Sequence, residues 1–440
     1  LGMSPRGRLN VLANLLQKPV RDIFNEFNGD QYDDNISLGD VKYHLGYDNQ
    51  IETASGHNVN IGLLPNPSHL EAVTPLVEGL TRARAEHTYN HDFNQVVPVV
   101  IHGDSAIAGQ GVVYEVVQMA MLNGYSTGGT IHIVINNQVG FTTNYLDARS
   151  STYCTDVGKV TRSPVFHING DDAEAIVYAL ELAMEYRQTF HRDVFIDILS
   201  YRKHGHNEGD EPRFTQPTLY RAIASHSNPA EIYSGKLMQE KVLKKSDISG
   251  IEEKFSDYLE KGLEASQKTD VVHIRPFLQE LWSDYRHPED DDFLNSPGTG
   301  IDKDALIHLA EKVNLLPSDK KFFRKLEKLV ADRQKMVDEN RLDWAMGELL
   351  AYASLLHEGH PVRISGQDSV RGTFAHRHAG FTLEDKDEIY FPLQYLEEEQ
   401  ASFNIYNSPL SEYGIMGFEY GFALGIPGGL TIWEAQFGDF

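Results

Sequence analysis

Polar side chains follow two apolar runs at points where binding chemistry is expected. Asp104 follows the run 96–102, and Asn137 follows the run 130–135. Both runs are short and rich in β-branched residues, which is typical of strands buried on both faces of a parallel sheet. The segment 112–122 between them has apolar residues at helical spacing, which predicts one strand-helix-strand unit. Because open α/β sheets bind ligands at the carboxyl ends of their strands, we expect Asp104 and Asn137 to line a site there.

The residue types at this edge suit a divalent cation and the phosphates that accompany it. Mg²⁺ takes oxygen ligands and shares them between one or two protein groups and substrate phosphates. Asp104 and the Asn137 amide supply such oxygens, and Val139 can add its backbone carbonyl. The Gly-rich turn 109–111 opens a helix whose first N–H groups favour an anion. These residues predict a diphosphate–magnesium clamp; the alternative is an ordinary strand-helix-strand unit with Asp104 in a turn and Asn137 in a loop.

The composition restricts the class of protein. The chain has 440 residues, 41% of them hydrophobic, which suffices for a large core and predicts two or three domains. Its net charge of -25 argues against nucleic acid as the main partner. The single cysteine, Cys154, excludes a disulfide framework and favours a reducing compartment. The sequence has no apolar stretch of membrane-spanning length, so we expect no membrane partner.

The alternation of elements predicts three parts. Residues 1–235 alternate apolar runs with helical segments, which indicates a parallel α/β domain. Residues 236–345 are Lys- and Glu-rich and predict a mainly helical linker, and residues 346–440 return to the alternation as a second, incomplete α/β domain. Further predicted elements are strands at 165–168, 193–199, 361–365 and 430–433, a helix at 172–189 with its N-cap at Asp171 or Asp172, and a helix at 411–425. Because the chain lacks an initiator Met and stops just past a strand, we expect an internal fragment of a longer enzyme.

The polar segment 201–212 follows the predicted strand at 193–199, and it therefore belongs to the same sheet edge as Asp104. His204 and His206 are two positions apart, an arrangement that can ligate a transition metal when further ligands are near. No Cys or third ligand has suitable spacing, so hydrogen bonding to a substrate or cofactor is the preferred interpretation. A loop that folds on itself is the alternative.

The segment 372–379 similarly follows the predicted strand at 361–365 in the second domain. Together with 201–212 it would present positive charge to an anionic substrate. Arg377 taken alone is more often a surface salt-bridge partner than a ligand.

Two other candidates have equally plain structural interpretations. Residues 66–71 form a loop in which Ser68 and Glu71 have the spacing of a capping box, so a helix start competes with a functional role. Glu412 lies at the start of a predicted helix, where the helix dipole favours an acidic side chain.

These motifs resemble the thiamine-diphosphate-dependent first component of the 2-oxoglutarate dehydrogenase complex, also called 2-oxoglutarate decarboxylase. The similarity covers essentially all of the chain, which resembles the middle portion of that component. Its most specific stretches are residues 39–44, 66–71, 135–143, 204–212 and 433–440. The resemblance implies an α/β thiamine-diphosphate-binding fold, with two parallel-sheet domains of transketolase type joined by a helical linker. The first domain would bind the diphosphate, and the second, truncated domain would bind the aminopyrimidine ring.

The resemblance also assigns roles to single positions. The positions that match the Mg²⁺ ligands are Asp104, Asn137 and the carbonyl of Val139. The positions that match cofactor-lining residues are Ser68, Leu70, Ser105, Gln436 and Phe440, with Phe440 stacked on the pyrimidine. Glu412 matches the acid that binds the pyrimidine ring nitrogen. His44 and His206 match histidines that hold the substrate and assist proton movement.

The activity that the resemblance implies is oxidative decarboxylation of 2-oxoglutarate in the tricarboxylic acid cycle. The succinyl group would pass to the lipoyl group of the second component, a dihydrolipoyl succinyltransferase. In this family the site forms between two chains, so we expect a homodimer. The resemblance implies a bacterial cytoplasmic enzyme, with the mitochondrial matrix as the alternative.

One position departs from the family pattern. Pro5 stands where the family has a His that contacts substrate, and proline has neither an imidazole nor a backbone donor. The alternatives are therefore a relative that uses a longer acid such as 2-oxoadipate, or a structural subunit without catalysis. A purely structural subunit would not need Asp104, Asn137 and Glu412 together.

Overall fold

The computed structural model describes residues 1–28, 42–268 and 276–436. The chain divides into two compact units, Leu1–Leu281 and Trp282–Phe440. The boundary between them falls inside the stretch 236–345, and the division of the chain into three parts stays a prediction.

The first unit holds a parallel sheet and its covering helices. Its strands are β1 (Gly2–Met3), β2 (Tyr47–Glu52), β3 (Asn58–Leu63), β4 (Val99–Gly103), β5 (Ile131–Asn136), β6 (Val139–Gly140), β7 (Thr143–Asn144), β8 (Val165–Asn169) and β9 (Val194–Leu199). Its α-helices are α1 (Arg8–Asn10), α2 (Val20–Asn28), α3 (Val73–His87), α4 (Asp104–Gly109), α5 (Gly111–Met119), α6 (Tyr145–Ala148), α7 (Ala173–Phe190), α8 (Pro217–Ser225), α9 (Pro229–Gln239) and α10 (Lys245–Ser266). A π-helical turn covers Val11–Leu15, and 3₁₀ turns cover Lys42–His44, Cys154–Thr161 and Pro212–Phe214.

Within the described residues, the main sheet of this unit has five strands in the order β1-β4-β5-β9-β8. Every neighbouring pair in it is parallel. The pairs β2–β3 and β6–β7 form separate antiparallel ribbons. Because parallel strands point the same way, the residues that follow β1, β4, β5 and β9 all emerge at one edge of the sheet.

Helices cover both faces of this sheet, as successive residues of β9 show. Phe195 and Ile196 are both fully buried, and neighbours along a strand point to opposite faces. Ile196 packs in a cluster with Ala183 of α7, whereas Phe195 packs in another cluster with Val113 and Val117 of α5. Burying one such side chain stabilises the fold by about 1.5–3 kcal/mol. Burial on both faces explains why the strand sequences are continuous apolar runs.

The second unit has a smaller parallel sheet. Its strands are β10 (Val362–Gly366), β11 (Phe381–Thr382), β12 (Ile389–Tyr390), β13 (Phe403–Asn407) and β14 (Leu430–Glu434). Its α-helices are α11 (Asp290–Leu294), α12 (Lys303–Val313), α13 (Arg324–Asp338), α14 (Trp344–His357) and α15 (Tyr413–Leu424), and a 3₁₀ turn covers Pro392–Gln394. In the part of this unit that the structure describes, β10 lies between β13 and β14, and both pairings are parallel.

The centre of the second unit combines an apolar cluster with a buried ion pair. Leu356 of α14 and Ile364 of β10 are both fully buried in one cluster. Arg363 Nε lies 2.7 Å from Glu419 Oε2, and both side chains are almost completely buried. Removing one partner of a buried pair typically costs about 3–5 kcal/mol, so this pair fixes α15 against β10.

The predicted fold class is confirmed, because both units are α/β with parallel sheets. The predicted helix at 172–189 corresponds to α7, whose N-cap Asp172 accepts a hydrogen bond from Ala175 N–H at 3.0 Å. Across the described ranges, no helix combines the length and apolar character that crossing a membrane requires.

Candidate functional site

The structure places Asp104 and Asn137 beside each other at the edge of the first sheet. β4 and β5 are parallel with Gly103 opposite Ile135, so the two chains leave adjacent strands almost level. Asp104 is the first residue of α4, and Asn137 follows the last residue of β5. The backbone N–H of Asn137 interacts with the Asp104 carboxyl group. The spacing in the sequence thus predicted this juxtaposition correctly, while the role of these residues as metal ligands stays a prediction.

The Asp104 carboxyl group is only 1% exposed. Burial raises its pKa, while Arg149 and the backbone N–H of Asn137 oppose that rise. Arg149 Nη1 lies 3.5 Å from Asp104 Oδ2, which is an ion pair without a direct hydrogen bond. Sequence reasoning missed Arg149, because a single arginine just after the short helix α6 has no distinguishing pattern.

Two buried oxygen atoms at this edge lack hydrogen-bond partners among the described residues. They are Oδ2 of Asp104 and Oγ of Ser105. A buried polar atom without a partner costs about 1–3 kcal/mol, so such atoms are typical of ligand sites. A carboxylate, an amide oxygen and a backbone carbonyl are all hard oxygen donors, and the donor set at Asp104, Asn137 and Val139 therefore fits Mg²⁺.

The loop after Asn137 is built to approach Ser105 closely. Asn137 Oδ1 accepts a hydrogen bond from Val139 N–H at 3.2 Å, which curls the chain back. A Cβ atom added at Gly140 would lie 2.5 Å from Ser105 Oγ, so only glycine permits this approach. Any side chain at position 140 would push the loop away from Ser105.

The neighbouring Asn136 has a structural role instead. Its amide nitrogen donates to Asp197 Oδ1 at 3.0 Å and to Cys154 Sγ at 3.6 Å inside the unit. Burial raises the pKa of the Cys154 thiol to about 12, so this thiol stays protonated and unreactive at neutral pH. Of the two consecutive asparagines, Asn136 is therefore held inside the unit, while the backbone N–H of Asn137 reaches the Asp104 carboxyl group.

The loop 66–71 leads into a helix, as predicted, but Ser68 and Glu71 do not form its capping box. Helix α3 starts only at Val73, and its N-cap Ala72 has no side-chain cap. Ser68 Oγ instead lies 3.3 Å from Nε2 of the buried His44. A pocket brings Ser68 and Leu70 together with Ser4, Pro5 and Ala106, which places these predicted lining residues next to α4.

Glu71 anchors this loop to the sheet through two buried histidines. His102 Nδ1 lies 2.7 Å from Glu71 Oε2, and His102 Nε2 lies 3.0 Å from His132 Nδ1. Since a carboxylate only accepts, His102 donates to Glu71 from Nδ1. Sequence reasoning missed both histidines because each stands inside an apolar strand, where nothing in the pattern separates a hydrogen-bonded core residue from a functional one.

His206 lies in a segment that both folds on itself and reaches toward Arg6. Its backbone N–H donates to Asp210 Oδ2 at 2.7 Å, and its ring packs edge-on against Phe141 with centroids 4.1 Å apart. Arg6 Nη2 lies 2.8 Å from His206 Nδ1. Burial and the charges of Arg6 and Arg202 lower the pKa of His206, which favours the neutral imidazole. No group of three or more His, Cys, Asp or Glu residues is arranged to hold a metal in the described part of the chain.

The second unit presents Glu412 at the start of α15. Glu412 is the N-cap residue, yet its side chain makes no capping hydrogen bond. Gln367 Nε2 donates to Glu412 Oε1 at 3.4 Å, while Oε2 is buried and has no hydrogen-bond partner among the residues that the structure describes. Sequence reasoning missed Gln367, which follows β10 directly. Gln436 is half-buried just beyond β14, and Phe440 lies outside the described residues.

The interpretation of the segment 372–379 as an anion-binding loop is wrong for Arg377. The alternative interpretation, a salt-bridge partner, is correct, except that this side chain is 3% exposed and therefore buried. It pairs with Glu348 at 2.8 Å and with Glu434, so two carboxylates already neutralise its guanidinium. The free-energy cost of burying an arginine charge is high unless acidic partners offset it. Both acids lie far from Arg377 in the sequence, so the sequence pattern does not reveal them.

Comparisons with known proteins agree with this architecture. The sequence model of the family described as "Dehydrogenase E1 component" matches residues 3–275, and that described as "Transketolase, pyrimidine binding domain" matches residues 340–440. The chain is 46% identical to the mitochondrial 2-oxoglutarate dehydrogenase of Schizosaccharomyces pombe over 444 residues, covering 100% of this chain and 44% of the relative. It is 44% identical over 449 residues to the 2-oxoglutarate dehydrogenase E1 component of Azotobacter vinelandii, covering 100% of this chain and 46% of that protein.

The chain thus spans less than half the length of the curated relatives that it matches. The first family model covers well over half of the chain, and both models match the two α/β units in order. The resemblance inferred from the sequence motifs is confirmed. The chain belongs to the dehydrogenase E1 component family, with a thiamine-diphosphate-binding fold of the transketolase type.

Proposed function

We propose that this chain is the middle part of a thiamine-diphosphate- and Mg²⁺-dependent E1 component that decarboxylates 2-oxoglutarate oxidatively. The observation that carries the proposal is the pair of buried oxygens on Asp104 and Ser105, beside Asn137, that have no hydrogen-bond partner among the described residues. The Asp104 carboxylate can bind a cation, and the Ser105 hydroxyl can donate to an acceptor. A magnesium-bound diphosphate supplies the cation through the metal and the acceptor through its phosphate oxygens.

The residues of the first unit would hold the cofactor's diphosphate. Asp104, Asn137 and the Val139 carbonyl would ligate Mg²⁺, and Ser105 Oγ would donate to a phosphate oxygen. Ser68 and Leu70 would line the cleft, held in place because Glu71 is tied to His102. When bound, thiamine diphosphate supplies a carbon nucleophile and accepts the electrons that carbon dioxide leaves behind.

The residues of the second unit would serve the aminopyrimidine ring. Glu412 Oε2 would hold a proton at the ring nitrogen, because that oxygen is buried and accepts no hydrogen bond from a described residue, while Gln367 occupies Oε1. Gln436 and Phe440 would lie beside the ring. His44 and His206 would orient the substrate and move protons, His44 with its ring fixed by Ser68 and His206 as a neutral imidazole.

The proposed partners follow from the same assignment. They are a 2-oxo acid substrate, the lipoyl group of a dihydrolipoyl succinyltransferase, and a second copy of the chain in a homodimer. The proposed location is the bacterial cytoplasm, with the mitochondrial matrix as the alternative. The named relatives are 2-oxoglutarate dehydrogenases, which favours this substrate over 2-oxoadipate and over a non-catalytic subunit.

The test uses the full-length protein. Thiamine diphosphate is titrated with and without Mg²⁺, and decarboxylation is followed with 2-oxoglutarate, 2-oxoadipate and 2-oxopentanoate. We expect Mg²⁺-dependent binding and preferential use of 2-oxoglutarate. A preference for 2-oxoadipate would change the assigned substrate to that acid. Cofactor binding without turnover would favour the structural subunit, and absence of cofactor binding would overturn the proposal.

A further inference from the structure

The buried Arg377 joins three segments of the second unit through one guanidinium group. Its Nε donates to Glu348 Oε1 of α14 at 2.8 Å. Its Nη1 donates to the Ser369 carbonyl at 2.7 Å and to Glu434 Oε1 at 3.0 Å, and its Nη2 donates to Glu434 Oε2. Two parallel N–H···O bonds to one carboxylate fix both the separation and the orientation of the partners. Arg377 is therefore a rigid link between the loop after β10 and the end of β14.

The loop that carries Arg377 is itself held in place by Arg333 of α13. Arg333 is buried, and its guanidinium donates to three consecutive backbone carbonyls, those of residues 376–378. Ala375 and His378 in this loop have positive φ angles of 56° and 39°, which are unfavourable for residues with a side chain. Such conformations persist only where the surrounding contacts hold them. The fold thus directs the Arg377 side chain inward through several independent contacts.

Arg377 acts on strand ends that lead to candidate site residues. β10 and β14 are parallel, with Gly366 opposite Glu434. Gln367 directly follows Gly366, and Gln436 comes two residues after Glu434. A Cβ atom added at Gly366 would collide with the Glu434 carbonyl oxygen, so the two strand ends are in close contact. Holding Glu434 therefore fixes the point from which the chain continues to Gln436.

The loop after β10 also contacts the segment that leads to Glu412. The Ser408 N–H donates to the Gly366 carbonyl at 2.8 Å. Gln367 Nε2 donates to Glu412 Oε1 at 3.4 Å. A shift of the loop 367–370 would therefore move both the hydrogen-bond partner of Glu412 and the chain that approaches it.

We propose that Arg377 is a positioning residue for the aminopyrimidine half of the candidate site. By tying the Ser369 carbonyl to Glu434, it holds Glu412 and Gln436 in the relative orientation that binding one ring requires. This inference rests on the proposed function, because it takes Glu412 and Gln436 to serve that ring. The guanidinium acts through the two strand ends and needs no contact with substrate or cofactor. A misplacement of about 1 Å far from the reacting atoms can slow turnover by about 100-fold, so such a link has a measurable effect.

The experiment compares Arg377→Lys and Glu434→Gln with the parent in the full-length enzyme. Lysine keeps the positive charge but lacks the planar fork that binds Glu434 and the Ser369 carbonyl together. Glutamine keeps the shape of the acid but removes its charge and one acceptor oxygen. For both variants we expect kcat at saturating cofactor to fall by about 10- to 100-fold, with KM for 2-oxoglutarate within about twofold of the parent. The matched control is Arg324→Lys, an exposed arginine at the start of α13.

Three further measurements separate positioning from general stability. The Kd of thiamine diphosphate should stay within about twofold of the parent, because the proposed diphosphate clamp belongs to the first unit and distant sites act independently. Hydrogen exchange at the reactive carbon of the bound cofactor should slow in parallel with kcat. In the cofactor-free protein, amide hydrogen exchange at Ser408 should accelerate by at least about 10-fold, while exchange in β9 stays unchanged.

Several outcomes would overturn the inference. Unchanged kcat in both variants would do so, and so would a loss of turnover without faster amide exchange at Ser408. An equal loss of cofactor affinity and turnover, or a failure of both variants to fold, would make Arg377 a purely structural residue. If the parent itself neither binds thiamine diphosphate nor decarboxylates a 2-oxo acid, the proposed function fails together with this inference, whereas the other outcomes contradict the inference alone.

Discussion

Asp104→Ala is expected to remove Mg²⁺-dependent binding of thiamine diphosphate from the full-length enzyme. The substitution deletes the proposed charged ligand and leaves a diphosphate facing only backbone donors and Arg149. Changing groups that merely support a metal ligand already costs 10- to 100-fold in metal affinity. Loss of the ligand itself should therefore raise the apparent Kd by more than about 100-fold. Asn137→Ala should act in the same direction but more weakly, because a neutral ligand is lost.

The same substitution should also reduce stability. Asp104 is 1% exposed, and Arg149 Nη1 lies 3.5 Å from its Oδ2. At an effective dielectric constant of about 20, two unit charges at that separation attract by about 5 kcal/mol, part of which desolvation offsets. Removing one partner of a buried pair costs about 3–5 kcal/mol. Because no direct hydrogen bond joins Arg149 to Asp104, we expect the lower end, about 3 kcal/mol.

Two control variants separate the effects on binding and stability. Asp104→Asn keeps the shape and the acceptor for the Asn137 N–H while it removes the charge, so it should lose affinity with less structural disturbance. Asp104→Ala combined with Arg149→Ala removes the orphaned guanidinium and should recover part of the lost stability without recovering affinity. Isothermal titration with and without Mg²⁺ gives the affinity, and urea unfolding gives the free energy. Unchanged Mg²⁺-dependent affinity in Asp104→Ala would refute the assignment of the clamp.

Three further outcomes test other parts of the molecule. Glu412→Gln should preserve cofactor binding but slow turnover by about 10²- to 10⁴-fold, and NMR should show slower hydrogen exchange at the reactive carbon of the cofactor; unchanged exchange would make Glu412 only a helix-start acid. Pro5→His should raise kcat/KM for 2-oxoglutarate selectively by up to about 10- to 150-fold, with equal efficiency of the two proteins contradicting a substrate contact at this position. Burial and Asp193 raise the pKa of Glu78 to about 7, so its stabilising contribution is complete below about pH 4 and is lost as the pH rises through 7. The loss in the free energy of unfolding should be about 3 kcal/mol at most, and Glu78→Gln should reduce it. Urea unfolding of both proteins at pH 5 and pH 8 measures this difference, and an identical pH dependence would contradict the role of Glu78.

Much of the fold could be predicted because its strands are buried on both faces. A continuous apolar run between turn residues, as in β5 and β9, has few interpretations other than a parallel strand. The start of a helix could also be predicted where the capping residue bonds within its own first turn, as Asp172 does in α7. The capping-box interpretation of 66–71 failed because the spacing of Ser68 and Glu71 is necessary for a box but not sufficient. Tertiary partners, His44 and His102, bind both side chains instead.

The candidate site could be predicted only in part, because the sequence pattern shows local signals but not tertiary partners. Asp104 and Asn137 could be found because each follows its strand directly, so local pattern and tertiary position coincide. Arg149, Gln367 and the partners of the buried Arg377 could not be found, since their neighbours are set by packing between distant segments.

The register of the parallel sheet explains why so many chemical groups meet at one edge. Gly103 lies opposite Ile135, and Asn136 opposite Leu199, so three strands end within about one residue of each other. A register slip of one residue would turn every side chain of the slipped strand to the opposite face and move its terminal group along the edge. The buried alternation of Phe195 and Ile196 makes such a slip in β9 costly, because an apolar face shaped for α5 would then meet α7. The packing of the core, far from any ligand, therefore fixes which residue each strand delivers to the site.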